Sequence, residues 1–297
     1  MSRSYASEQI KLLVWSGLRS QKESRRIVLE DCFRPEDVTA ADATWVGEEV
    51  ARVWSAKLEE ERSWPTPTDW DRLDAAFASL RAGGIIALHQ AGYEPSDGPP
   101  MVAEEYHARG VEKSGLVGFC FYHWQCIERA LEGHGLRLAC GDIGGDPQRG
   151  VEIARRVVAA VEAASLRTAW DGTIDDSIRV DMRWQKRSPM LRAELESGAI
   201  RDDPSEGVLL ELLSGIERGD EAFLVVERLS DATGQTYMQV RRLGKGAYRV
   251  EHREGSDDRH FQGTAASMRE AHAVLVDWAR EAPGWRQALP WEKMRLH

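Results

Sequence analysis

The chain has 297 residues, of which 42% are hydrophobic and 30% charged, with a net charge of −10. This is a globular composition, long enough for two domains with sizeable cores. The acidic balance argues against nucleic acid as a partner, since such binders carry a basic face, and suits a basic protein, a cation or no charged partner. No apolar run approaches the ~20 residues that span a bilayer, so no membrane partner is expected.

The N-terminus, MSRSYASEQIKLLVW, lacks the apolar core and cleavage site of a signal peptide. Four cysteines (Cys32, Cys120, Cys126 and Cys140) form no CxxC pair, which suits reduced, buried thiols in the cytoplasm. Eleven tryptophans exceed the usual share, and any buried indole N–H needs an acceptor.

Residues 7–62 read as helical, with apolar stripes Ile10, Leu13, Val14, Leu18 and Val46, Val50, Val53, Trp54, Leu58, broken at Phe33-Arg34-Pro35. Thr68 with Asp71 is a capping-box-like start to a helix carrying Leu73, Ala76, Phe77 and Leu80, which Gly83-Gly84 ends. A buried strand at 85–89 and a loop at 92–100 follow. Next come a helix at 101–109, a strand at 116–122, a helix at 124–132, a strand at 136–140, a glycine-rich loop at 141–150 and a helix at 151–164. Strands at 167–171 and 178–186 complete the series. Such alternation predicts an α/β domain with a largely parallel sheet, preceded by helices, over residues 1–187. The period of two in Ile178, Val180, Met182 and Trp184 predicts a half-exposed edge strand.

Residues 188–220, interrupted by Pro189, Gly198, Pro204, Gly207 and Gly219, read as a linker. Residues 221–297 then change architecture. Alternating segments at 222–228, 236–243, 246–252 and 258–262, joined by short turns, predict an antiparallel meander in a small α+β domain. Its single helix, at 267–281, turns Met268, Ala271, Leu275 and Trp278 inward. Trp285 and Trp291 are expected to plug the core between sheet and helix.

Two resemblances add to this reading. TDWDRLDAAFASLRAGGIIALHQAGY, GFCFYHWQCIERAL and TAWDGTIDDSIRVDMRWQKR resemble an uncharacterised bacterial domain family, to which no activity is assigned. TYMQVRRLGKGAYRVEHREGSDDRHFQGT with GWRQALPWEKM is similar to an immunity-protein family of bacterial polymorphic toxin systems. The second resemblance implies a module that neutralises a toxin-like protein partner by occlusion and needs no catalytic residue.

No coherent catalytic set emerges, so an interaction protein without catalytic activity is the first expectation. The alternative is a small-molecule enzyme, hydrolase-like and with or without metal assistance, at the strand ends carrying His89, Cys120 and His123. Those ligand types suit zinc, with Cys126, Asp97 or Asp142 in support, but the spacing matches no closed site. Neither a metal nor a cofactor is therefore expected. The loop Gly141–Pro147 lacks P-loop residues, and Asp142 and Asp146 would repel phosphate. A third reading, an anion or nucleotide sensor, rests on Arg179, Arg183, Lys186 and Arg187, whose simpler role is to protect a sheet edge. Partner binding would use the strand faces Tyr237, Gln239, Arg241 and Arg249, Glu251, Arg253.

Overall fold

The structure, a computed structural model, describes residues 3–33, 38–108 and 115–294. The elements run α1 (Arg3–Ser16), α2 (Gln21–Asp31), α3 (Ala40–Glu61), α4 (Asp69–Ala82), β1 (Ile85–Leu88), α5 (Gly98–Ala108), β2 (Gly118–Phe121), α6 (Trp124–Leu131), β3 (Leu136–Asp142) and α7 (Pro147–Ala163). Then come β4 (Arg167–Ala169), β5 (Ile178–Asp181), β6 (Leu191–Leu195), β7 (Ile200–Asp202), α8 (Glu206–Arg218), β8 (Phe223–Arg228), β9 (Thr236–Arg242), β10 (Tyr248–Glu254), β11 (His260–Ala265), α9 (Met268–Ala279), α10 (Trp285–Ala288) and β12 (Glu292–Lys293). Among the described residues, no helix is long and apolar enough to cross a membrane.

The chain forms two compact units. One comprises residues 11–17 and 56–187, the other residues 1–10, 18–55 and 188–297. The first holds a five-stranded sheet of order β1-β2-β3-β5-β4. Only β1 and β2 pair in parallel, whereas β2–β3, β3–β5 and β5–β4 are antiparallel. The expectation of a largely parallel sheet is therefore corrected to a mixed one. Since β3 and β4 are both antiparallel to β5, they run in the same direction, and α7 does make a crossover between them. The chain then returns through β5, which inserts between the two. Alternation of helix and strand reports succession along the chain but not direction, so the insertion leaves no mark in the pattern. β5 is consequently an inner strand, and β4 takes the edge assigned to 178–186. The burial pattern itself holds, with Ile178, Val180, Met182 and Trp184 all buried.

Local signals account for the helix starts. Thr68 Oγ1 accepts from the Asp71 backbone N–H at 3.1 Å while Asp71 accepts from the Thr68 N–H at 2.8 Å, the expected capping box. Ser20 and Glu23 make the same reciprocal pair and start α2, separating it from α1 within the expected helical stretch. The expected break at Phe33-Arg34-Pro35 lies mostly outside the described residues. Pro147 opens α7 four residues before the expected start, with Asp146 as its cap.

The second unit carries a seven-stranded antiparallel sheet of order β12-β11-β10-β9-β8-β6-β7. The meander β8–β11 stands at its centre as expected. One face, with Leu224, Val226, Met238, Val240, Tyr248 and Val250, packs under α8 and α9 through Leu209, Leu213, Ala271, Leu275 and Trp278. Trp285 is buried in this core and Trp291 packs against it. Residues 188–220 are not a linker, since they supply β6, β7 and α8. The residues that suggested a linker are element boundaries. Gly198 (φ 82°) turns β6 into β7, and Gly219 (φ 85°) caps α8 in the left-handed region that glycine tolerates. Helix α2 belongs to this unit too. Glu23 pairs with Arg192 on β6 at 2.7 Å, Lys22 lies 3.9 Å from Glu227, and the Gln21 amide donates to the Ser230 carbonyl at 3.0 Å.

Candidate functional site

The parallel pair β1–β2 aligns Leu88 with Phe121, so His89 and Tyr122 leave the strands side by side. The Tyr122 hydroxyl lies 2.9 Å from His89 Nδ1, and His89 Nε2 lies 3.0 Å from Asp74 Oδ1 on α4. A carboxylate only accepts, so Nε2 carries the proton and Nδ1 accepts from the tyrosine. The imidazole is stacked on Phe77 at 4.5 Å. Burial lowers the His89 pKa and outweighs the Asp74 carboxylate, which keeps the ring neutral. The bond from His89, with Arg81 assisting, holds the Asp74 carboxyl below its ordinary range. Burial raises the Tyr122 hydroxyl, which is wholly enclosed.

His123 sits elsewhere, at the N-terminal boundary of α6. Its Nδ1 lies 3.1 Å from the Tyr93 carbonyl, so Nδ1 donates and Nε2 is left to accept from the Cys126 thiol at 3.2 Å. Burial raises the Cys126 pKa, so the thiol is protonated and donates. The strand-end trio thus separates. His89 belongs to Asp74 and Tyr122, His123 to Cys126, and Cys120 lies opposite Cys140 in the β2–β3 ladder. Cys120 is fully buried and burial pushes its thiol well up, the environment of a packed cysteine rather than a nucleophile. Sequence reading missed Asp74, because a carboxylate early in a helix is explained by the helix dipole. It also gave Cys126 only a supporting role, although the His123–Cys126 spacing of three residues is a signal for contact at the start of a helix.

Among the described residues, no group of three or more His, Cys, Asp or Glu side chains could hold a metal ion. The arginine strip is also dispersed. Arg187 donates to the carbonyls of Glu61, Trp64 and Pro65, which makes it a tie within the fold. Arg179 is on inner strand β5, while Arg183 lies beyond that strand's end, with its backbone N–H held by Asp69 at 3.0 Å.

The six residues expected on a binding face do come together. Strands β9 and β10 pair Tyr237 with Arg253, Gln239 with Glu251, and Arg241 with Arg249. They lie on the sheet face opposite the helix-packed core, with Phe223 and Val225 of β8 beside Arg241 and Gln239. Arg253 is committed: it donates to Gln235 at 2.5 Å and Asp257 at 2.6 Å, and lies over the Tyr237 ring at 5.5 Å. Glu251 lies 3.7 Å from His260 Nε2. By contrast, Arg241 and Arg249 face one another across the strands, and neither is neutralised by any described group.

A family model described as a domain of unknown function, DUF6891, matches residues 1–188. The chain belongs to the DUF6891 family. This agrees with the resemblance carried by the helix and strand motifs of that region. The DUF6891 residues contribute to both compact units, through 1–10 and 18–55 in one and 11–17 and 56–187 in the other. No curated protein and no solved structure matches the chain.

Proposed function

We propose that the chain is a protein-interaction module that docks an acidic patch of a protein partner on the outer face of the β8–β11 sheet. The observation that carries this reading is the Arg241–Arg249 register pair. Two like charges directly opposite on a sheet destabilise it unless something of opposite sign lies between them. Guanidiniums bind carboxylates through paired, charge-assisted hydrogen bonds, so a carboxylate from a partner would relieve the repulsion and gain those bonds. Phe223, Val225 and Tyr237 supply the apolar and aromatic centre that interfaces favour. The net charge of −10 suggests a basic partner, but this patch has the opposite sign and would meet the partner's acidic side. Polyanionic nucleic acid, by comparison, is repelled by the rest of the molecule. The resemblance of the C-terminal residues to immunity proteins supports a toxin, neutralised by occlusion, as the kind of partner.

The test is co-expression with each protein encoded by the neighbouring genes, followed by size-exclusion chromatography and, for any that proves toxic, a growth-protection assay. A stable complex with protection, both lost in the double variant Arg241→Glu/Arg249→Glu, is the expected result. No complex, a complex indifferent to that variant, or assembly of the chain with itself alone overturns the proposal.

A further inference from the structure

Outside the two clusters above lies a cavity of about 620 Å³, within the unit that holds the five-stranded sheet. This volume falls in the range of small-ligand pockets. Trp15 of α1, Trp64 and Trp184 line it, with Met182 adding to the apolar wall. The Trp184 indole N–H is fixed by the Ser16 carbonyl at 2.9 Å, which holds that ring in place.

The charges around the cavity fall into two classes. Arg167 and Asp181 neutralise one another at 2.6 Å, and Asp69 is taken by Arg72 at 2.9 Å and by the Arg183 backbone N–H. Glu60 and Arg183 remain. Both line the cavity, yet neither side chain pairs with the other or with any other described group. Two opposite charges left uncommitted around one cavity call for a ligand that carries both signs. The Gln185 side-chain amide, also on the wall, adds a donor and an acceptor without charge.

We infer that this cavity binds a small zwitterion of the α-amino-acid type. Its ammonium meets the Glu60 carboxylate, its carboxylate meets the Arg183 guanidinium, and its body lies against the tryptophans. Indole faces favour a cationic group and apolar carbon alike, so they suit both the ammonium and the side chain of such a ligand. A simple anion would gain from Arg183 but be repelled by Glu60, and a simple cation the reverse. This site is separate from the sheet face proposed for protein docking and does not depend on that reading.

The test uses the full chain and the twenty proteinogenic L-amino acids with glycine betaine, screened by saturation-transfer NMR and titrated by tryptophan fluorescence to millimolar concentration. At least one should bind saturably. The N-acetyl and amide forms of the amino acid that binds should each bind about tenfold more weakly or worse, as should the wild-type ligand to Glu60→Gln and Arg183→Gln. Both side chains are exposed, so these variants should keep the unfolding midpoint of the parent. Trp15→Ala should weaken all zwitterions together. No saturable binding by any of these compounds overturns the inference, as does binding that survives both charge variants or does not distinguish the blocked forms.

Discussion

His252 offers the sharpest physical test of the second unit. It is 4% exposed, stacked on Phe261 at 5.0 Å and edge-on to Trp285 and Trp291 at 4.8 and 4.6 Å. Its Nδ1 is buried without a hydrogen-bond partner. Burial lowers its pKa from 6.5 to about 4, against the opposing pull of Glu254. Because the folded value lies below the unfolded one, the unfolded chain binds the proton first. The neutral ring's contribution is therefore intact above pH 6.5 and is lost as pH falls towards 4. By linkage the loss is about 2 kcal/mol at pH 5 and about 3 kcal/mol at pH 4. The variant His252→Phe keeps an aromatic ring of similar size and has no proton to gain. Urea unfolding followed through the methyl resonance of Met238, buried in the same core, should show the variant at least as stable as the parent at pH 7. Its advantage should then grow by those amounts on acidification, whereas other titrating groups are common to both proteins and cancel. A stability difference that stays constant from pH 7 to pH 4 refutes the reasoning.

Other expectations follow from single contacts. Arg192, 9% exposed, is gripped by Glu23 at 2.7 Å and Asp202 at 2.8 Å, and Arg192→Ala should destabilise the second unit by about 3 kcal/mol in urea melts, since it strands two carboxylates. Thr68→Ala removes the cap of α4 and should cost about 1 kcal/mol by the same measurement, with Thr68→Ser close to the parent. Lys57 is fully buried against Glu61, and burial lowers its pKa from 10.5 to about 8. Its depressed folded value means that stability should rise as pH goes from 8 to 10.5, a rise that Lys57→Met should abolish when unfolding is compared at the two pH values. Arg241→Gln should raise the unfolding midpoint of the free protein slightly by removing a like-charge contact, an effect that should vanish in an Arg249→Gln background.

Much of the fold was legible in residues 68–88 and 221–281, where caps, periodic stripes and turn glycines all agree. Thr68, Ser267 and the register of β9 with β10 are local facts, and local signals report them. The six-residue face was legible for the same reason, since a period of two fixes which side chains share a side. The insertion of β5 between β3 and β4 was not, because pairing partners far apart in sequence leave no periodic trace. Residues 188–220 misled through the double meaning of glycine and proline, which punctuate ordered elements as readily as they loosen a linker. The Asp74–His89–Tyr122 relay joins three elements, and only the β1–β2 register brings its members together.

The make-up of the second unit bears on how the chain is born. Glu23 must wait for Arg192, which is translated 169 residues later. At roughly 5–20 residues per second, helix α2 spends on the order of 10–30 s without its permanent partners while the intervening sheet is made and can fold. During that interval α2 has neither Arg192 nor Glu227 nor the Ser230 carbonyl to bind, and a ribosome stalled before β6 would leave the helix open to chaperones and proteases. Synonymous changes that slow translation between residues 60 and 190 should therefore affect yield more than the same changes placed after residue 230.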